Sequence, residues 1–352
     1  MKKIIDSHWH LYTLEHQGKS LVPTMLQARE RCGLRALNLC SIPIYQDLGP
    51  EQNILMALYK LADPTAYAYG GLVYPEKPFR TPMPEGMDPL SQYEELMALG
   101  FDGIKMLETK PTEQKAYGVR VDNMAFDAFF AAAEKNGTHM LWHVADPETF
   151  WDIDRIPQRF LDRGWFYGDG TYLSYEDTYG QVTNVLERHP GLKVTFAHFY
   201  FLSGHPERLE ALFGKYPGVG VDITPGSEMF ADFLKNREYY RDFFEKYAKR
   251  ITFGTDSSVK DSDMERFITR SLALQRFLAT EEEMEIITVP TRGLGLSEAA
   301  RERILWKNFE EAAGAVPRPV DREALRRYVK KYEHLLTHED VRAYILRAME
   351  TL

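Results

Sequence analysis

The sequence predicts an α/β fold, a closed barrel of eight β–α units. Two observations favour it: eight short apolar runs recur along the 352 residues, and amphipathic segments separate them. Apolar runs without polar alternation are typical of parallel strands that helices cover. An open doubly wound sheet is the alternative. The count of eight, and the polar residues at the strand ends, favour the (β/α)8 TIM barrel.

The predicted elements follow one another in a regular order. Among the helices, one is expected to have Asp88 as its N-cap, Pro89 as its first residue and Gly100 as its stop. Another is expected between Asp122 and Gly137. The predicted strands are 3–8, 36–42, 67–74, 102–107, 138–144, 192–199, 219–224 and 250–256.

Two segments depart from this repeat. Residues 146–180 form a long connection that is rich in aromatic residues and glycine, and long connections of this kind inside a domain are usually functional. Residues 321–333 and 337–350 read as two further helices. We therefore expect a barrel over residues 1–316 and a C-terminal helical extension, 317–352, packed on it.

Composition and charge exclude several classes of partner. The net charge is -9, and no long basic run is present, which argues against nucleic acid and anionic membranes. The two cysteines suggest no disulfide scaffold, and neither a signal region nor an apolar stretch of about 18 residues occurs. The expectation is a cytoplasmic protein that acts on a small molecule.

Polar residues are placed at the carboxyl ends of several predicted strands. Alternate side chains of a barrel strand point inward, and barrel enzymes place their chemistry at these strand ends, so such residues should converge. Neutral imidazole and carboxylate are preferred ligands of zinc and related ions. The sequence therefore predicts a divalent metal site. The candidate residues are His8 and His10 on strand one, Lys105 on strand four, His143 on strand five, His198 on strand six and Asp256 on strand eight.

At these residues the sequence resembles the amidohydrolase superfamily of metal-dependent TIM barrels. The closer resemblance is to its amidohydrolase-2 branch, which includes the aminocarboxymuconate-semialdehyde decarboxylase-like proteins. The matching strand motifs are IIDSHWH, LWHVAD, VTFAHF and ITFGTDSS, and ERILWKNFEEAAG is similar to the helix that closes the domain. The resemblance extends from residue 1 to about residue 315.

The resemblance implies a ligand set. His8, His10, His143 and Asp256 would bind one divalent metal, zinc in the first place and manganese as the alternative. His198 would be a catalytic histidine beside this metal or a ligand of a second one. Relatives in this branch are often dimers, so the resemblance allows a homodimer.

The role of Lys105 is open between two uses. Some members of the superfamily carry a carboxylated lysine on strand four that bridges two metals, whereas many members of this branch hold one metal without it. Otherwise Lys105 would contact a substrate carboxylate or pair with a nearby acid such as Glu108.

Two reactions are consistent with these residues. In the first, a hydrolase cleaves an amide, ester or lactone bond of a small, aromatic or carboxylated substrate. The metal activates water, Asp256 acts as general base, and His198 stabilises the oxyanion. The alternative is a non-oxidative decarboxylase, in which Asp256 or His198 handles the proton that replaces CO2. A barrel that only binds a ligand is the third hypothesis, disfavoured because all the expected positions are occupied.

The aromatic connection supplies further candidates for substrate contact. Trp151, Tyr172 and Tyr175 would form part of a lid over a planar substrate, and Glu108 lies where it could reach the mouth of the barrel. The alternative is that these aromatic side chains pack the connection onto the barrel rim.

Overall fold

The computed structural model describes residues 3–226, 228–260 and 263–352. Its centre is a curled sheet of nine parallel strands, which confirms the predicted α/β class. Most of the core strands are buried along their whole length. The strands are β1 Ile4–Leu11, β2 Leu34–Cys40, β3 Tyr67–Gly70, β4 Gly103–Thr109, β5 His139–Val144, β6 Lys193–Phe196, β7 Val219–Asp222, β8 Ile251–Thr252 and β9 Ser257–Val259.

The order of the strands shows how the sheet curls. It runs β8-β7-β6-β5-β4-β3-β2-β1-β9, so that consecutive units are neighbours. The strands at its two ends, β8 and β9, both belong to the segment 251–259. β8 pairs with β7, and β9 pairs with β1. Between them, the Phe253 carbonyl accepts from Ser7, and the Asp256 N–H donates to His8. Of the strand predicted at 250–256, only Ile251–Thr252 is formed, and β9 begins one residue after its predicted end.

Helices surround this sheet, and two small antiparallel hairpins, 15–20 and 283–292, extend from it. A π-helical turn, Arg303–Lys307, joins α12 to α13. The helices are α1 Val22–Arg31, α2 Glu51–Ala62, α3 Pro89–Ala98, α4 Pro111–Tyr117, α5 Asp127–Asn136, α6 Gln158–Leu161, α7 Tyr175–Arg188, α8 Pro206–Lys215, α9 Met229–Lys235, α10 Arg237–Lys246, α11 Glu265–Ala279, α12 Glu298–Glu302, α13 Asn308–Ala313, α14 Arg322–Tyr332 and α15 Glu339–Glu350.

The predicted helix signals act as expected at α3. Asp88 caps the helix by accepting from the Ser91 N–H at 3.0 Å, and Gly100 follows its end with φ +91°. The predicted helix from 122 to 137 begins instead with a 3-10 turn, Met124–Phe126, because Asn123 caps that turn. The predicted connection 146–180 contains α6 and ends inside α7, so it is shorter than the sequence suggested.

The two C-terminal helices lie where the sequence placed them and contact α2 and α3. Tyr328 bonds to Asn53 at 2.9 Å, and Tyr332 donates to Glu95 at 3.1 Å. The division of the chain near residue 316 stays a prediction. Among the described residues, no helix combines the length and apolarity needed to cross a bilayer.

Candidate metal centre

Three potential ligand atoms converge at the carboxyl end of the sheet. The Nε2 atoms of His8 and His10 lie 3.2 Å apart. The Oδ1 atom of Asp256 lies 3.6 Å from Nε2 of His8 and 3.2 Å from Nε2 of His10. All three atoms lie within 4.8 Å of one another. The alternation of β1 produces this arrangement, because it points both histidines to one face and buries Trp9 on the other against Phe267, at 5.2 Å between ring centroids.

Hydrogen bonds fix the orientation of both imidazole rings. Nδ1 of His8 lies 2.9 Å from Oδ2 of Asp222, and Nδ1 of His10 lies 2.8 Å from the Cys40 carbonyl. Metal-binding histidines usually use their second nitrogen in this way. Burial holds the pKa of His8 well below its usual value, so the ring is neutral, as a ligand must be. This donor set therefore fits a divalent metal.

Asp222 is a site residue that the sequence analysis missed. Besides holding His8, its Oδ1 accepts from the N–H of His198 at 2.7 Å. The run VGVDIT places it at the carboxyl end of β7, so the rule that found the other residues would also have found this one. An aspartate inside a run of apolar residues indicates a buried partner.

The loop that carries Asp256 is held on several sides. Asp256 has φ +49°, in the left-handed region, and its N–H donates to the His8 carbonyl at 2.9 Å. Asp6 accepts from the N–H groups of His8 and Thr255 and so satisfies two buried backbone donors. Arg270 of α11 donates to the carbonyl oxygens of Thr255 and Asp256, both at 2.8 Å. Asp256 thereby faces the cavity with 33% of its side chain exposed.

The ionisation of Asp256 depends on its neighbours. Burial opposes the charged form, but the hydrogen bond from His10 and the nearby imidazoles of His8 and His198 outweigh it and hold the pKa of Asp256 well below its usual value. The group is therefore a carboxylate at neutral pH, able to bind a cation or accept a proton.

His198 lies beside the three-atom cluster, in an unusual backbone conformation. It begins a turn, 198–201, whose four non-glycine residues all have φ between +51° and +60°. Its Nδ1 contacts the hydroxyl of Thr224 at 3.1 Å, and its ring centroid is 5.7 Å from that of His8. Burial lowers the pKa of His198 to about 4.

His143 lies next to His198 but outside the group of three converging atoms. The two ring centroids are 4.9 Å apart. Nε2 of His143 lies 2.9 Å from the Ala145 carbonyl and 3.5 Å from Oδ1 of Asp146. Burial lowers its pKa to about 4. The structure thus brings His143 to the same cavity, and its role as a fourth ligand stays a prediction.

Lys105 approaches the cluster directly, whereas Glu108 turns away from it. Nζ of Lys105 lies 3.2 Å from Nε2 of His8, and burial lowers the pKa of this lysine. Glu108 accepts from the Tyr74 hydroxyl at 3.1 Å and from the Leu107 N–H at 2.8 Å. Burial raises the pKa of Glu108 to about 6. It makes no ion pair with Lys105 among the contacts of the described chain.

A cavity of about 390 Å3 opens above these residues. The connection after β5 contributes much of its wall, as expected for a lid. However, the residues it contributes were not the ones predicted. They are Asp146, Pro147, Phe150, Arg159, Phe160, Arg163 and Trp165.

The predicted substrate contacts of this connection pack against other parts of the protein instead. Trp151 donates to the Leu173 carbonyl at 2.9 Å, Tyr172 lies under the Lys115 ammonium, and Tyr175 donates to the Phe201 carbonyl at 3.3 Å. None of the three lines the cavity, nor does Glu108. The sequence could not distinguish them, because every aromatic residue in the connection gives the same signal. Contact with a substrate stays a prediction for all four.

Comparison with solved structures shows the same fold. A 2,6-dihydroxybenzoate decarboxylase bound to 2,6-dihydroxybenzoate superposes with a TM-score of 0.55 at 16% identity, over 89% of this chain and 99% of that one. The 4-oxalomesaconate hydratase of Rhodopseudomonas palustris gives 0.53 at 12% identity, over 95% and 100%. The apo IDCase of Metarhizium anisopliae gives 0.54 at 13%, over 88% and 97%.

Sequence comparison identifies the family. No curated protein sequence matches this chain significantly. The amidohydrolase-2 family model, described as amidohydrolase, matches residues 77–311. This span contains His143, His198 and Asp256 and begins after the two histidines of β1. Since it includes most of the chain, this protein belongs to the amidohydrolase family, as its strand motifs indicated.

Proposed function

We propose that this protein is a metal-dependent hydrolase that cleaves an amide, ester or lactone bond of a small carboxylated substrate. The observation that supports this proposal is the convergence of His8, His10 and Asp256 at the base of a cavity large enough for a small ligand. A histidine–histidine–aspartate set suits zinc or manganese. Family membership is consistent with this reading but does not select the reaction.

The residues around the cluster have distinct roles in this proposal. A bound divalent metal would lower the pKa of a water molecule and polarise the scissile bond. The Asp256 carboxylate accepts a proton from the attacking water and later gives it to the leaving group. Nδ1 of His198 donates to Thr224, whose hydroxyl proton goes to Asp222, so the neutral ring presents Nε2 as an acceptor that orients the attacking water. The Lys105 ammonium would contact a substrate carboxylate.

Decarboxylation is the second candidate. The aromatic and cationic wall, which includes Phe160 and Trp165, suits an aromatic acid, and the fold is shared with a 2,6-dihydroxybenzoate decarboxylase. In this reaction Asp256 or His198 would pass a proton from water to the carbon that loses CO2. No water would be added to the substrate.

The two reactions are distinguished by their products. Zinc- or manganese-loaded protein is incubated in H2(18)O with aromatic carboxylic acids and with their ester, amide and lactone derivatives. Mass spectrometry then detects 18O in the organic product of hydrolysis. Decarboxylation releases CO2 and leaves the organic product without 18O from water. Release of CO2 alone would reject the hydrolase in favour of the lyase.

Metal content tests the centre itself. We expect His8→Ala to lose nearly all the bound metal that the parent protein retains after dialysis, because a ligand and its orienting contact with Asp222 are removed together. Elemental analysis gives the metal per chain, and circular dichroism checks the fold. His205→Ala is the control, since His205 lies outside the cavity wall and contacts Glu148. Unchanged metal content in a folded His8→Ala protein would reject the assignment.

A further inference from the structure

Two arginines of the connection after β5 line the cavity wall without a carboxylate partner among the described residues. Neither Arg159 nor Arg163 forms an ion pair within 4.0 Å among the described residues, although both line the cavity. By contrast, Arg155 of the same connection lies 3.7 Å from Glu148 and is not part of the wall. The positive charges of Arg159 and Arg163 are therefore not paired with a carboxylate in the part of the chain that the structure describes.

Aromatic rings hold these guanidinium groups in place. The rings of Phe160 and Trp165 stack with centroids 5.7 Å apart and an interplanar angle of 8°. The guanidinium of Arg159 lies 4.8 Å from the Phe160 ring centroid, and that of Arg163 lies 5.5 Å from the Trp165 ring centroid. Stacking on aromatic rings reduces the freedom that an arginine loses on binding an anion.

The stacked rings are in turn attached to the strand ends. Lys110 lies 4.6 Å from the Trp165 centroid and pairs with Asp146 at 2.6 Å. Tyr167 donates to the same Asp146 oxygen at 2.8 Å. Both partners of the ion pair are buried, so Asp146 compensates the charge of Lys110. The charges of Arg159 and Arg163 are left available to a ligand.

The arginines and the candidate metal centre line the same cavity. The cavity, at about 390 Å3, is of the size that small ligands occupy, roughly 300–1,000 Å3.

We propose that Arg159 and Arg163 form a second anion-binding subsite, so that the substrate carries two anionic groups. One group lies at the His8, His10 and Asp256 centre, next to Lys105, and the other lies at the two arginines. The inference rests on the proposed function, because that proposal places a substrate carboxylate at Lys105, whose Nζ is 3.2 Å from Nε2 of His8. The distal group is a carboxylate or a phosphoryl group, which the planar guanidinium recognises in the same way.

Simple aromatic acids test the subsite without knowledge of the substrate. Isothermal titration measures the binding of benzoate, isophthalate, terephthalate and 4-phosphonobenzoate to the zinc-loaded protein. We expect at least one doubly anionic probe to bind about tenfold more tightly than benzoate, since its second anionic group gains charge-assisted contacts with the arginines. Which of terephthalate and 4-phosphonobenzoate gains more identifies the distal group.

Arginine variants show which residues cause the tighter binding of the doubly anionic probes. In the Arg159→Gln/Arg163→Gln protein, the doubly anionic probes should bind no more tightly than benzoate, while benzoate binding is unchanged. Arg155→Gln, from the same connection, should keep the full gain. The subsite would be overturned if the double variant still bound the doubly anionic probes more tightly than benzoate, or if the parent protein did not.

The metal-free protein separates this inference from the proposed function. If zinc removal abolishes benzoate binding but the doubly anionic probes show no arginine-dependent gain, the subsite is wrong and the metal centre is supported. If benzoate binding is the same with and without zinc while the gain still depends on the arginines, the subsite is supported and the proposed centre fails.

Discussion

Asp256 illustrates how a single residue of the candidate centre depends on side chains far away in the chain. Its left-handed backbone, with φ +49°, is a conformation that few residues other than glycine, asparagine and aspartate adopt. The neighbouring carbonyl oxygens, of Thr255 and Asp256, both accept from Nη1 of Arg270. Arg270 therefore holds the peptide units on both sides of this left-handed residue and acts as a positioning residue.

Arg270→Met should weaken zinc binding about tenfold, because loss of a supporting contact lets the ligand leave its geometry. Competition with a chromophoric chelator measures the affinity. Arg270→Lys should recover part of it, since an ammonium can still donate to a carbonyl. Arg276→Met, on the same helix and paired with Glu282 on the surface, serves as the control. Equal zinc affinity in Arg270→Met and the parent would contradict this role.

Among the elements, the turn 198–201 is the one whose conformation most needs support from its surroundings. Four consecutive residues of left-handed backbone cost roughly 1–2 kcal/mol each. The hydroxyl of Tyr179 donates to the Tyr200 carbonyl at 2.8 Å, and that of Tyr175 donates to the Phe201 carbonyl. Helix α7 thus fixes the turn that places His198 in the cavity, which gives Tyr175 a structural role.

Tyr179→Phe should lower both stability and turnover. Loss of one buried hydroxyl–carbonyl bond costs on the order of 1 kcal/mol, and relaxation of the turn would displace His198. Tyr67→Phe is the matched control, because its hydroxyl donates to the Gly314 carbonyl at 2.9 Å, away from the cavity. Both variants should show a similar fall in Tm, but only Tyr179→Phe should lose activity. Equal activity in the two would show that the bond does not position His198.

In the whole molecule, Asp102 connects the sheet to the C-terminal part of the chain. It lies at the start of β4 and accepts from the Ala68 N–H at 2.9 Å, from Nζ of Lys60 on α2, and from the Arg318 N–H at 2.7 Å. Nearby, a Cβ on Gly100 would lie 1.9 Å from the Pro319 carbonyl oxygen. The glycine that ends α3 therefore also makes room for the segment that leads to α14.

Asp102→Ala should destabilise the fold by about 3–5 kcal/mol, because it leaves the buried ammonium of Lys60 without its partner. Thermal unfolding measures the change. Glu187→Ala removes the partner of Lys215 from an exposed pair and should change the free energy of unfolding by less than about 1 kcal/mol. Similar Tm values for the two variants would contradict the importance of the buried pair.

The sequence by itself determined the order of strands and helices, because hydrophobic periodicity and capping residues act over a few neighbouring residues. It also determined which strand ends carry His8, His10 and Asp256, since alternation along a strand is local. The family followed from the same strand motifs. The early end of the eighth strand and the separate strand β9 were not predictable, because the pairing of these strands with β7 and with β1 is a property of the assembled sheet.

The tertiary structure alone decided which side chains share a surface. Asp222 meets His8 across 214 positions of the chain, and Arg159 and Arg163 line the cavity while Trp151 does not. Nothing in the local pattern separates one aromatic or one arginine of the connection from the next. Their direction depends on how the connection folds back on the barrel, and that depends on contacts such as Lys110 with Asp146, which form only when strands β4 and β5 lie side by side.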